Sequence, residues 1–295
     1  MKKFVVFCFV MCLPFVALLA QNNNTTAPSL SKTKPDEAIV PDSINKTDAK
    51  GRKQGYWEEK LANSSTTKGW YLNDLQNGQW LTYGQNGIIT KVENYNKGKK
   101  NGAVIEIDTR GYLSAESYYI NDIPDGTFKR YYYGTNLASL IPYKHGKVDG
   151  KKIVYYENSA GKPQEESNFK NDIKDGISKW YTITGDVVAE YNYVNGSLEG
   201  TQKEYYPKGA LKSEQIYLKN IPEGEYKEYF DVVKPETPAT DTKFAKDGNA
   251  AATPVIGKLK LQGMYVKGEK DGKWTEFDEN GTVLKITRFV NGVEK

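Results

Sequence analysis

The chain has 295 residues, 38% hydrophobic and 13% aromatic, with 41 basic and 37 acidic side chains and a formal net charge of +4. Both signs are interspersed along the whole chain, which excludes the clustered cationic footprint of a nucleic-acid-binding surface. Two cysteines, Cys8 and Cys12, and one histidine, His145, leave little from which to build a thiolate nucleophile, a nucleophile–base pair or a zinc site.

Residues 1–20 read as a signal peptide. Lys2 and Lys3 form a basic start, Phe4 to Ala20 is almost entirely apolar, and Gln21 to Asn24 turn polar at once. Cleavage is expected after Ala20. The apolar run, about 17 residues, also reaches the lower limit for an uncleaved membrane anchor. Either outcome places the rest of the chain outside the cytoplasm, in the periplasm or outer envelope or as a secreted protein. Loss of Lys2 and Lys3 would leave 41 − 2 = 39 basic against 37 acidic residues, a net charge of +2, and no cysteine. Residues 21–50 are Asn, Thr, Ser, Pro and Lys with hardly any aromatic side chain, so they cannot bury enough apolar surface to offset ordering; a disordered spacer is expected.

From residue 51 to residue 295 one short unit repeats. Gly55, Gly78, Gly102, Gly126, Gly150, Gly176, Gly200, Gly224 and Gly272 recur every 23 or 24 residues, with one interval of 26 and a last one of 48. Such self-similarity marks an array of small units. Four residues before each of these glycines stand Gly51, Asp74, Gly98, Asp122, Gly146, Asp172, Gly196, Asn220 and Gly268, types that tolerate the positive φ of a tight reversal. The invariant glycines themselves are expected to serve the turn, through a backbone conformation or a close approach that a Cβ would spoil.

Aromatic columns flank the glycines. Tyr71, Tyr95, Tyr119, Tyr143, Phe169, Tyr193, Tyr217 and Tyr265 stand seven residues before, and Tyr83, Tyr131, Tyr155, Tyr181, Tyr205, Tyr229 and Phe277 five residues after. Polar residues alternate with them, as a half-buried strand requires. A second turn carries Asn-Gly at Asn86–Gly87 and Asn280–Gly281, a strong hairpin signal. Each unit is therefore predicted to be one β-hairpin, and the chain an all-β, elongated, single-layer antiparallel meander of about nine hairpins. The extra residues around Asn158–Pro163 and the low-complexity insertion at 231–257 fall at the second turn, where a loop can extrude without disturbing the ladder.

No catalytic, cofactor or metal site emerges from these columns. His145 occupies one of nine equivalent turn positions. Asp125, Asp149, Asp175, Glu199, Glu223 and Asp271 each precede an invariant glycine and raise the idea of a calcium ladder, but acidic residues before glycine are ordinary turn chemistry and no ligand cluster is evident within a unit. Adjacent carboxylates such as Glu58–Glu59 and Glu165–Glu166 point to opposite faces of a strand and cannot flank one bond. Two residues after the glycines, Trp57, Trp80, Phe128, Tyr226 and Trp274 keep large aromatic rings, whereas Lys152, Ser178 and Gln202 interrupt the column midway. These five aromatics are candidate partner-binding platforms; the alternative is that they cap a stacked aromatic face.

The last unit, Gly268–Trp274 with Glu279–Gly281 and Phe289–Gly292, resembles the bacterial variant of the MORN repeat, and the pattern can be followed from about Gly51 to Lys295. The array resembles the YwqK-type antitoxin family. The resemblance implies an extended sheet that binds another protein, a toxin in the antitoxin members, with links to membrane lipids and scaffolding in eukaryotic MORN proteins. An export signal sets this chain apart from a cytoplasmic antitoxin. The expected function is that of an exported, non-enzymatic interaction scaffold without cofactor; the alternative is an envelope glycan- or lipid-binding module.

Overall fold

The computed structural model describes residues 43–133, 136–232 and 255–295. The signal peptide and most of the spacer expected from the sequence lie outside these residues, as does most of the insertion. What is described is one long antiparallel sheet in meander order, with no helix among the described residues. Nine hairpins follow one another, from Lys53–Lys60 with Thr66–Leu72 to Glu269–Phe277 with Val283–Val290. Each long strand pairs with the one before and the one after, as Leu75–Tyr83 does with Thr66–Leu72 and Ile89–Asn96.

Two kinds of reversal alternate along the chain. The reversal ahead of each invariant glycine has positive φ at two consecutive residues, such as Asn73 and Asp74 (54° and 67°), Lys97 and Gly98 (50° and 80°), and His145 and Gly146 (50° and 84°). Two successive left-handed residues make a type I′ turn, whose twist matches that of the flanking strands. Gly51 departs from this series. It closes a different turn, in which its N–H donates to the Asp48 carbonyl at 2.9 Å, and Lys50 is not left-handed.

The invariant glycines do not sit in the reversal. Gly78, for instance, lies inside the strand Leu75–Tyr83, where the ladder slips opposite Lys68 to Trp70. All nine have positive φ, from 69° at Gly272 to 118° at Gly102. At Gly55, Gly78 and Gly272 a Cβ would meet no atom within 4 Å. Backbone conformation, at a bulge for Gly78 and Gly272, and not a close approach, fixes glycine at these three positions.

The opposite reversals are also not the two-residue turns that Asn-Gly suggests. Asn86 and Asn280 are not left-handed; Gly87 and Gly281 are, and their N–H groups donate to Gly84 and Asp278 carbonyls at 2.9 and 3.0 Å. A four-residue turn with a left-handed glycine at its end results. Aspartate opens several of these tips. Asp278 Oδ1 accepts the Asn280 and Thr282 amides at 2.9 and 2.7 Å, and Asp108 repeats the pattern with Arg110 and Tyr112.

Structure extends into the segment read as spacer. Asp48 gathers the Lys50 and Arg52 amides, Lys46–Thr47 pairs with Lys53–Gln54, and the Asn45 side chain bonds both backbone groups of Glu58. An amide side chain here satisfies backbone groups of the outer strand. The insertion's return also does more than loop out. Val255–Ile256 pairs in parallel with Ala210–Leu211, which are 0% and 2% exposed, while the antiparallel ladder continues from Gly224 to Tyr265.

Candidate functional surface

The aromatic columns interleave on one face. Tyr71 lies between Trp57 and Trp80 with centroids 5.7 and 4.9 Å away, Phe128 lies between Tyr119 and Tyr143, and Trp274 lies between Tyr265 and Phe289. Lysines two residues before the invariant glycines cover these rings: Lys53 lies over Trp57 and Tyr71, Lys174 over Trp180 and Tyr193, and Lys270 over Trp274 and Phe289. Ammonium groups over ring faces add electrostatic attraction to the hydrophobic contact of their stems.

Trp80 and Trp274 therefore present no platform. They are 1% and 3% exposed, and the expectation of exposed rings at these positions is corrected. Each indole lies on a glycine of the neighbouring strand: a Cβ on Gly69 would stand 2.3 Å from Trp80, and one on Gly263 2.2 Å from Trp274. Trp57, Phe128 and Tyr226 are half-buried in the same face. The polar interruption at Ser178 is filled by Trp180, which packs on Tyr191 at 5.2 Å, and Gln202 bonds the Asn192 backbone at 2.7 Å. The column is a core, with bulk supplied from a different position in the Gly176 unit.

Acidic residues before the invariant glycines bond the next reversal. Asp125, Glu199 and Glu223 accept the amides of His145, Lys219 and Lys267 at 3.1, 2.9 and 2.7 Å. Among the described residues no three acidic, His or Cys side chains are grouped as metal ligands would be. His145 is 83% exposed at its turn, with Nδ1 3.4 Å from Asp125.

The reversal edge shows a period of two units that the single-unit alignment missed. Asp74, Asp122, Asp172 and Asn220 each accept, at 2.7 Å, a backbone amide from the reversal strand one unit earlier: Lys53, Lys100, Val148 and Leu198. In the alternate turns glycine takes this place, and Gly98, Gly146, Gly196 and Gly268 rest on Leu75, Ile123, Ile173 and Ile221. Pro124 and Pro222, which have no N–H to give, occur only ahead of glycine turns. The consequence is an edge of alternating aliphatic and polar units. Leu72, Leu75, Ile120, Ile123, Leu218 and Ile221 are all exposed, beside Trp70 at 47% and Tyr118 at 45%.

The MORN repeat variant family matches residues 198–219 and 270–291, two of the units described above. Two units of the chain thus match the MORN repeat variant, and the same hairpin geometry runs through the others. No curated protein matches the chain. Among solved structures, the crystal structure of TcdB2-TccC3 aligns with 83% of this chain at 11% identity and a TM-score of 0.15. This chain spans 16% of that one, and a TM-score this low carries no structural or functional meaning here.

Proposed function

We propose that this MORN-repeat chain is an exported, non-catalytic scaffold whose extended sheet binds a protein in or beyond the bacterial envelope. The supporting observation is the distribution of apolar surface. Among the described residues seven apolar side chains are buried, whereas 26 large apolar side chains are exposed, many along one edge. Exposed apolar surface on this scale is characteristic of interaction surfaces. Polar groups at the turns are absorbed by backbone amides, which leaves them a structural role. A specific form of this reading is an immunity-type protein of the YwqK kind, neutralising a toxin that acts outside the cytoplasm.

Crosslinking and mass spectrometry on the tagged protein, recovered from its native host, tests the proposal. One protein captured reproducibly is expected, and a harmful product encoded beside it would support the immunity form. Recovery of no protein, together with saturable binding of purified envelope polymer or vesicles, would replace the scaffold with a glycan- or lipid-binding module.

A further inference from the structure

In six units the invariant glycine is covered by a side chain of the preceding strand. A Cβ on Gly102 would meet Asn94, and one on Gly126, Gly150, Gly176, Gly200 or Gly224 would meet Tyr118, Pro142, Asn168, Asn192 or Ile216. Trp70 holds the equivalent place before Gly78, yet a Cβ there would meet nothing within 4 Å. Its indole packs edge-on against Tyr56 instead, with centroids 5.7 Å apart, and stays 47% exposed. An open recess of about 410 Å³ results, lined by Gly55, Gly78, Trp70 and Leu72 and by the amide side chains of Gln54 and Asn77.

We infer that this recess binds a ring of a neutral saccharide. The inference goes beyond the scaffold reading and does not depend on it. No charged side chain lines the recess. Of the charged residues adjoining it, Asp48 pairs with Arg52, Lys53 pairs with Glu59, and Asp74 accepts the Lys53 amide. A charged ligand would find no counter-charge to offset its desolvation. Gln54 donates its Nε2 to Asn73 Oδ1 at 2.7 Å, which leaves Oε1 as an acceptor; Asn77 Oδ1 receives the Lys97 amide at 3.5 Å, which leaves Nδ2 as a donor. Hydroxyl groups, each donor and acceptor at once, satisfy both, whereas an acyl chain satisfies neither. The exposed indole suits the C–H face of a sugar ring, whose slightly positive hydrogens meet the negative face of the π system. A peptide backbone would need a free strand edge, and Thr66–Leu72 is paired on both sides, with Lys53–Lys60 and with Leu75–Tyr83.

The test titrates the full chain by calorimetry with soluble glucan, mannan and galactan oligosaccharides, beside hexuronic acid oligosaccharides and acyl-chain micelles. Saturable binding of a neutral oligosaccharide is expected, weakened about tenfold or more in Trp70→Asn. Asparagine is native to this place at Asn94, Asn168 and Asn192, where its Nδ2 donates to a carbonyl across the sheet at 2.8, 2.7 and 2.9 Å. It should close the recess with circular dichroism unchanged. Asn77→Asp removes the free donor and installs the residue that Asp125 and Asp149 already supply before their glycines, so it should weaken binding in a folded chain as well. Binding that survives both substitutions would overturn the site. So would a preference for the acidic oligosaccharides or the micelles, or no binding of any neutral oligosaccharide. Capture of a protein partner is read in a separate experiment, so the scaffold stands or falls apart from these results.

Discussion

The indole of Trp80 lies on the backbone of Gly69, its Cδ2 2.3 Å from where a β-carbon on that glycine would stand. Gly69 does not have a left-handed φ, so alanine suits its backbone and the indole alone opposes it. Trp80 is held from the other side by Tyr71 at 4.9 Å and by its own Nε1 donating to the Trp70 carbonyl at 3.2 Å. Gly69→Ala should therefore destabilise the first hairpins by about 1–3 kcal/mol through overpacking. Trp80→Ala should cost about 3–5 kcal/mol. The double variant should lose less than the sum, because the methyl group enters space the indole has left. Urea denaturation of all three checks this, and strict additivity would show that the two residues do not share the contact.

The same contact explains what was legible in the sequence and what was not. Glycines and tyrosines that repeat by type give the hairpin, its period and the meander directly. The pairing of Trp80 with Gly69 and Trp274 with Gly263 is harder to read, because its two positions vary together and neither is constant along the array. Burial of these tryptophans depends on the bulge at Gly78 and Gly272 and, at Trp274, on Lys270 folded over the ring, none of which periodicity states. The type I′ turns are masked where Lys97, a residue type seldom left-handed, takes the first position, while Asn86 and Asn280 point to turns of another type. The two-unit alternation was visible as Asp, Gly, Asp, Gly, but its meaning required knowing which amide each carboxylate reaches.

That alternation makes opposite substitutions informative. Asp122→Ala removes the acceptor for the Lys100 amide and places a β-carbon without compensation at φ 69°. A loss of about 1–2 kcal/mol is expected. Asp122→Asn should be nearly neutral, since Asn220 performs the same task at 2.7 Å. Gly146→Asp should destabilise instead of restoring a cap, because Pro124 has no N–H to offer and Ile123 Cγ2 would lie 3.3 Å from the new β-carbon. Chemical denaturation of the three variants decides it; a stabilising Gly146→Asp would refute the alternation as a packing rule.

Alkaline pH should unfold the array through its tyrosines. Burial, followed by neighbouring carboxylates, pushes Tyr181, Tyr191, Tyr205 and Tyr226 up to about 12, and Tyr229, beside Glu214, is also raised. A phenol whose pKa is higher folded than unfolded stabilises fully below the unfolded value, about 10, and that contribution is lost as pH climbs toward 12. Phenolate absorbance should thus rise late and together with loss of β-sheet dichroism. Ionisation near pH 10 in a protein that stays folded would show that these rings are not sequestered.

Gly150→Val tests whether the sheet behaves as one cooperative body or as neighbouring units. Gly150 has φ 117°, and a β-carbon there would meet Pro142 Cγ at 3.2 Å, so valine adds both strain and a clash with the preceding hairpin. Strain of this kind costs on the order of 1–3 kcal/mol. Because each strand pairs mainly with its sequence neighbours, the loss should stay local. Hydrogen exchange should accelerate in Asn136–Lys144, Gly150–Tyr155 and Pro163–Lys170, while the hairpins around Gly55 and Gly272 keep their protection. Equal acceleration along the whole chain would instead require a single cooperative unit, stabilised by coupling beyond adjacent strands.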